Sequence, residues 1–220
     1  MIPVIAVREP AHFNERVREP GLDAIAELVG EMPQRKRPGR KRAKIADDRA
    51  NIPAKSFPPY WRAALPDMLD SYNRLCAYLG LYIEYGTGSP SVDHVAPKSK
   101  RWDQIYEWNN YRLACALVNS KKNNLDLSLD PFSIQDGTFA LEFVGFQVIA
   151  GPLADRELAR KVNKTIDVLG LNLRDCCEAR REYVEAYQGR DIQLTYLERR
   201  APFIAAELTR QGGLLPEDIS

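Results

Sequence analysis

Asp93 and His94 stand side by side in the stretch SPSVDHVAPKSKRW, and amides follow at Asn109, Asn110, Asn119, Asn123 and Asn124. SVDHV reads as a short β-strand, on which neighbours point to opposite faces, so a carboxylate and an imidazole can serve one cluster without competing for the same atom. NYRLAC reads as a second short strand, and ALVNSKKNN begins a helix on which Asn119 and Lys122, three residues apart, share a face. If that helix packs beside the strands, an amide oxygen and an ammonium turn towards Asp93 and His94. Asp and Asn oxygens make a sparse, hard donor set that leaves positions to water and phosphate, which suits Mg²⁺ or Mn²⁺ and not a closed Zn²⁺ cage. Phosphodiester cleavage needs this equipment: a base for water and a cation for the leaving oxygen.

The elements around these residues follow from periodicity and turn chemistry. GLDAIAELVGEM (21–32) has helical spacing at Leu22, Ile25, Leu28 and Val29. The stretch 58–85 places Trp61, Leu65, Met68, Leu69, Tyr72, Leu75, Cys76 and Leu79 at three- and four-residue steps, predicting an amphipathic helix of several turns, broken near Pro66. Residues 132–151 alternate around Asp136-Gly137, which predicts a β-hairpin turning there. Leu158, Val162, Ile166 and Leu169 return to helical spacing with Gly170 as the C-cap, and two further helical stretches follow. The expected division is an N-terminal segment (1–57) with a basic arm (33–46), a core with its hairpin (58–150), and a C-terminal helical region (151–220) packed on the core.

With 45% hydrophobic residues in 220, the chain can bury one substantial core. Its 31 Lys and Arg nearly balance 30 Asp and Glu, so any polyanionic partner must be met by a local patch and not by the whole-molecule field. One such patch is PQRKRPGRKRAK, with Arg35, Lys36, Arg37, Arg40, Lys41, Arg42 and Lys44 and no acid among them. It reads either as an arm that tracks nucleic-acid phosphates or as a solvated linker. No apolar run approaches membrane-spanning length, and MIPVIAVREPAHF lacks the layout of a signal peptide, so a cytoplasmic protein without a membrane partner is expected. Cys76, Cys115 and the adjacent Cys176 and Cys177 suggest reduced thiols, not a disulfide framework.

SVDHVAPKS, YEWNNYRLAC and NSKKNN together resemble the HNH endonuclease family. The specific likeness covers about residues 72–124, with a weaker one on either side. The resemblance implies an α+β protein, mainly helical, built around a ββα-metal core, here with an additional β-hairpin. It implies that His94 is the general base, that Asp93 and Asn119 hold the metal, and that Asn110, or its neighbour Asn109, holds the loop and orients His94. Lys122 becomes a phosphate contact or a charge for the transition state. Asn119 follows Asn110 by nine positions, the separation found in the HNH modules of CRISPR effector nucleases.

The chain departs from relatives that bind a structural zinc through two C-x-x-C pairs. CAYL (76–79) and CALV (115–118) keep one sulfur each, too few for four-ligand zinc, so packing is expected in its place. The wider layout is similar to standalone bacterial HNH proteins, including subunits of Septu-type and retron-associated anti-phage systems, which implies DNA as substrate, RNA as another, and an ATPase or other defence partner. The alternative is a non-cleaving nucleic-acid-binding or assembly subunit with a degenerate core.

Overall fold

Strand β1 (Pro90–His94) pairs antiparallel with β2 (Tyr111–Cys115), placing Val92 opposite Leu113, Asp93 opposite Arg112 and His94 opposite Tyr111. Helix α3 (Ala116–Lys122) starts where β2 ends, and its first amide donates to the Ser89 carbonyl at 2.8 Å, which ties the helix start to the residue before β1. This computed structural model describes residues 1–35 and 39–219, a mixture of helices and two small two-stranded sheets, hence an α+β chain. Val92, Asp93 and His94 are all buried, because both faces of β1 are covered.

Ahead of this unit lie α1 (Glu19–Val29), entered through a π turn at Asn14–Arg18, and α2 (Leu65–Ser71). The long helix expected over 58–85 is shorter. A 3₁₀ turn covers Tyr60–Ala64, and Pro66 sits in the first turn of α2, where a missing N–H breaks no helical bond. Asn73 and Arg74 then adopt φ of 49° and 58°, a left-handed pair that ends the helix. The Arg74 guanidinium holds that turn, donating to the Ile83 carbonyl at 2.9 Å and lying 3.8 Å from the Tyr85 ring centroid. Cys76 and Leu79 still reach the core, but from a loop.

The second sheet corrects the expected hairpin turn. β3 (Phe139–Leu141) pairs with β4 (Val148–Ala150), so the chain reverses over 142–147 and not at Asp136-Gly137, which precedes β3. There the Glu142 carboxylate accepts the amides of Val144, Gly145 and Gln147 at 2.9–3.0 Å, replacing a tight two-residue turn by a carboxylate-centred one.

α4 (Arg156–Leu169) is capped by the Asp155 side chain and ends at Gly170, φ 63°, as its spacing predicts. α5 (Arg174–Gln188), α6 (Leu194–Arg200) and α7 (Pro202–Gln211) complete the chain; non-helical Ala201 (φ −147°, ψ 58°) followed by Pro202 separates the last two. One buried apolar cluster draws Phe13 and Ile25 from the N-terminal segment, Val118 and Phe139 from the centre, and Val162 and Phe203 from the C-terminal helices. Among the described residues no helix is long and apolar enough to cross a membrane.

Candidate active site

α3 turns Asn119 and Lys122 onto β1. The Lys122 ammonium, 0% exposed, donates to Asp93 Oδ1 at 3.0 Å and to the His94 carbonyl at 2.6 Å, while the Tyr78 hydroxyl donates to Asp93 Oδ2. Burial, then the Asp93 charge, raises the Tyr78 pKa well above the ordinary phenol range, so this donor keeps its proton. Lys122 is therefore not exposed for a phosphate, contrary to what the sequence resemblance implied: it is a strut beneath Asp93. A buried cation is tolerable only when paired and hydrogen-bonded, and these partners supply both.

Asn119 Nδ2 donates to Ser91 Oγ at 3.0 Å and to the Val92 carbonyl at 3.3 Å. Its Oδ1 accepts no hydrogen bond among the described residues. Asp93, His94 and Asn119 line one cleft of about 610 Å³. Each Asp93 oxygen has a single donor and so retains a lone pair, and the Asn119 Oδ1 is free. Two such oxygens fit a hard divalent ion that keeps most of its positions for water or phosphate. Among the described residues no three His, Cys, Asp or Glu side chains converge into a cation cage.

His94 lies edge-on between two rings, 5.0 Å from Trp61 and 5.1 Å from Tyr111. Its Nε2 is 3.0 Å from the Ile105 carbonyl. A carbonyl only accepts, so Nε2 carries the hydrogen and Nδ1 keeps its lone pair. Burial, followed by the charge of Lys98, brings the imidazole pKa down to about 3, against the weaker upward pull of the Ile105 hydrogen bond, so His94 is neutral near pH 7. That is the protonation state a general base requires.

Asn110 acts one step away. Its Oδ1 accepts the Ala96 amide at 2.7 Å, and its Nδ2 donates to the Ala96 and Gln104 carbonyls at 3.2 and 2.9 Å. The side chain closes the 95–110 loop and so fixes the Ile105 carbonyl that sets the His94 tautomer. Asn109 is exposed, whereas Asn110 is buried.

None of the described residues of the basic arm lines this cleft. Arg35 pairs with Glu19 and, at 3.0 Å, with Asp23; Arg42 pairs with Glu27 at 2.9 Å and donates to the Tyr60 hydroxyl; Lys44 pairs with Asp47 at 2.8 Å. Arg40 and Lys41 are exposed, and Lys36 and Arg37 lie outside the described residues. Two cations that the sequence reading passed over, Arg62 and Lys98, do line the cleft. Lys98 follows His94 by four positions in the loop leaving β1, a place where a cation is within reach of the strand end; Arg62 carries no comparable signal in the sequence. Away from the cleft, Cys76 is buried and Cys115 half-buried, and all four cysteines are free.

Compared with protein-family models the chain matches none, and no curated protein matches it either.

Two measurements check this geometry. Lys122→Met strands the Asp93 carboxylate in the interior and should lower unfolding stability by about 3–5 kcal/mol in urea titrations; a loss below about 1 kcal/mol contradicts a buried pair. For His94 the folded pKa lies below its ordinary 6.5, so its contribution to stability is complete above that value and declines as pH falls towards 3. Between pH 7 and 5 the decline amounts to about 2 kcal/mol. Urea titrations at both pH values should show His94→Gln losing correspondingly less than the parent on acidification, and equal losses refute the buried neutral imidazole.

Proposed function

We propose that the chain is a metal-dependent endonuclease of the HNH class that hydrolyses DNA phosphodiester bonds. The observation that carries the reading is the tautomer of His94. Its Nδ1 has a lone pair, and the ring stands in one cleft with the Asp93 carboxylate and the free Asn119 oxygen. The order β1, β2, α3 around these side chains agrees with the ββα arrangement that the sequence resemblance implies.

In this mechanism His94 accepts a proton from the attacking water, and the Ile105 carbonyl keeps the ring in the required tautomer. Asp93 and Asn119 would hold Mg²⁺ or Mn²⁺. Bound there, a divalent ion supplies positive charge for the leaving oxygen and the pentacovalent transition state. Lys122 and Tyr78 fix the Asp93 carboxylate, and Asn110 keeps the loop in register. The resemblance to defence-associated nucleases extends the proposal to anti-phage defence with an ATPase partner, which co-purification from the native host examines.

The Lys122–Asp93 pair favours a second reading. A full positive charge 3.0 Å from the proposed metal ligand opposes a cation, as expected of a non-cleaving nucleic-acid-binding or assembly subunit. Plasmid nicking in Mg²⁺ or Mn²⁺ separates the two. His94→Ala should reduce the nicking rate by at least about 100-fold, the usual contribution of a general base. Nicking unaffected by the substitution removes His94 from the base role. Absence of nicking by the parent, together with no Mn²⁺ binding in the presence of DNA, selects the second reading.

A further inference from the structure

Arg62 and Lys98 reach the cleft from two chain segments, the 3₁₀ turn Tyr60–Ala64 and the loop after β1. The Lys98 ammonium lies 4.2 Å from the Trp61 ring centroid, and the Trp61 ring meets the His94 ring 5.0 Å away. This cation therefore sits one aromatic ring from the proposed base. Neither Arg62 nor Lys98 is hydrogen-bonded or ion-paired to a carboxylate among the described residues. Elsewhere arginines close to carboxylates are satisfied: Arg18 by Glu9 and Glu107, Arg112 by Asp130, Arg200 by Glu84.

Two like charges share this cleft with no anion paired to either, and the repulsion weighs most on Lys98, which is half-buried. Burial lowers the Lys98 pKa, and the charge of Arg62 pushes it the same way against the attraction of Asp93. The internal charges at the cleft floor do not relieve this, since Asp93 is already paired with Lys122. What the cleft lacks is an external anion. A phosphate satisfies a guanidinium through paired N–H donors and an ammonium as a point charge, and a phosphodiester backbone delivers it next to His94. Trp61 restricts Lys98 to the cleft side of the loop by holding the ammonium over its ring.

We propose that Arg62 and Lys98 form a clamp for a DNA backbone phosphate beside His94, binding it without a metal ion. The clamp rests on the nuclease reading for its ligand, but it makes a separate claim: the charges that hold nucleic acid are these two, and not the 35–44 arm. Recognition through them is independent of base sequence.

The test uses the full chain carrying His94→Ala, in EDTA so that no cleavage occurs, with anisotropy of a labelled 16-bp DNA duplex and the matching RNA duplex at several salt concentrations. Adding Arg62→Gln and Lys98→Gln should weaken DNA binding by about tenfold at 0.1 M salt and reduce the slope of log K against log salt by about 2, since each lost phosphate contact removes about 0.9. Lys98→Arg in place of Lys98→Gln should restore about half of that slope, the share that Lys98 contributes. Arg62 is exposed, so its replacement leaves packing intact, and the Arg62→Gln single variant should by itself lower the slope by about 1. Unchanged affinity and slope in the double variant overturn the clamp. So does a slope lost on neutralising Lys36, Arg37 and Lys41 but kept in the double variant, and a loss confined to the RNA duplex overturns the assignment to DNA. Nicking distinguishes this failure from failure of the nuclease reading. If His94→Ala abolishes nicking while the Arg62 and Lys98 variants nick with unchanged KM, the clamp fails alone; if the parent never nicks but the double variant loses DNA, the clamp stands without the nuclease.

Discussion

The Lys122 ammonium, sealed from solvent between Asp93 and the His94 carbonyl, is the interaction on which the rest of the cleft depends. α3 has seven residues, far too few to be helical in isolation, so its conformation derives from docking. The ammonium must find an anion once it leaves water, and it finds Asp93 by placing the C-terminal turn of α3 against the end of β1. That docking carries Asn119, three residues earlier, over Ser91 and Val92, and it aims the Asp93 carboxylate. Tyr78 closes the remaining side from the 72–82 loop, and its donor role depends on the chain having left the helical path at Asn73 and Arg74.

His94 is set by a longer relay that uses backbone where Asp93 uses charge. Asn110 clamps Ala96 and Gln104, the closed loop presents the Ile105 carbonyl, and that carbonyl determines which imidazole nitrogen is bare. Tyr111 adds a second hydrogen bond to the same oxygen at 2.7 Å, fixing its direction. The relay contains no charged group. Its effect is insensitive to salt, unlike the phosphate contacts proposed for Arg62 and Lys98 at the same cleft.

Local periodicity made β1, β2 and α3 legible, and the shared face of Asn119 and Lys122 followed from a three-residue step. Depth was not legible. A helical face says which side chains point together, but not which of them ends in solvent, so the sequence offers Lys122 for a phosphate contact or a transition-state charge while the fold keeps it in the interior. The 58–85 stretch misled for a related reason: its apolar spacing is kept in the core, but two consecutive left-handed residues, neither of them glycine, have no signature in composition. The arm was the case where more was available. Glu19, Asp23 and Glu27 recur at four-residue steps along α1 and form an acidic stripe, and it is this stripe that takes up Arg35 and Arg42.

The ammonium that builds the site also sets its affinity for a cation. With Lys122 paired to Asp93, the floor of the cleft carries no net charge, so a divalent ion meets one carboxylate whose charge is already offset and one neutral amide. A third anionic contribution is needed to make that coordination favourable, and within this cleft only the substrate phosphate can provide it. In the proposed clamp, Arg62 and Lys98 would act on the same balance from the other side, drawing phosphate in before any ion is present. Nucleic acid would then precede metal, and the catalytic charge would be assembled only on a bound strand. The nuclease and the non-cleaving subunit thus differ in one quantity, whether the charge of the clamped phosphate outweighs that of the buried ammonium at the two ligand oxygens.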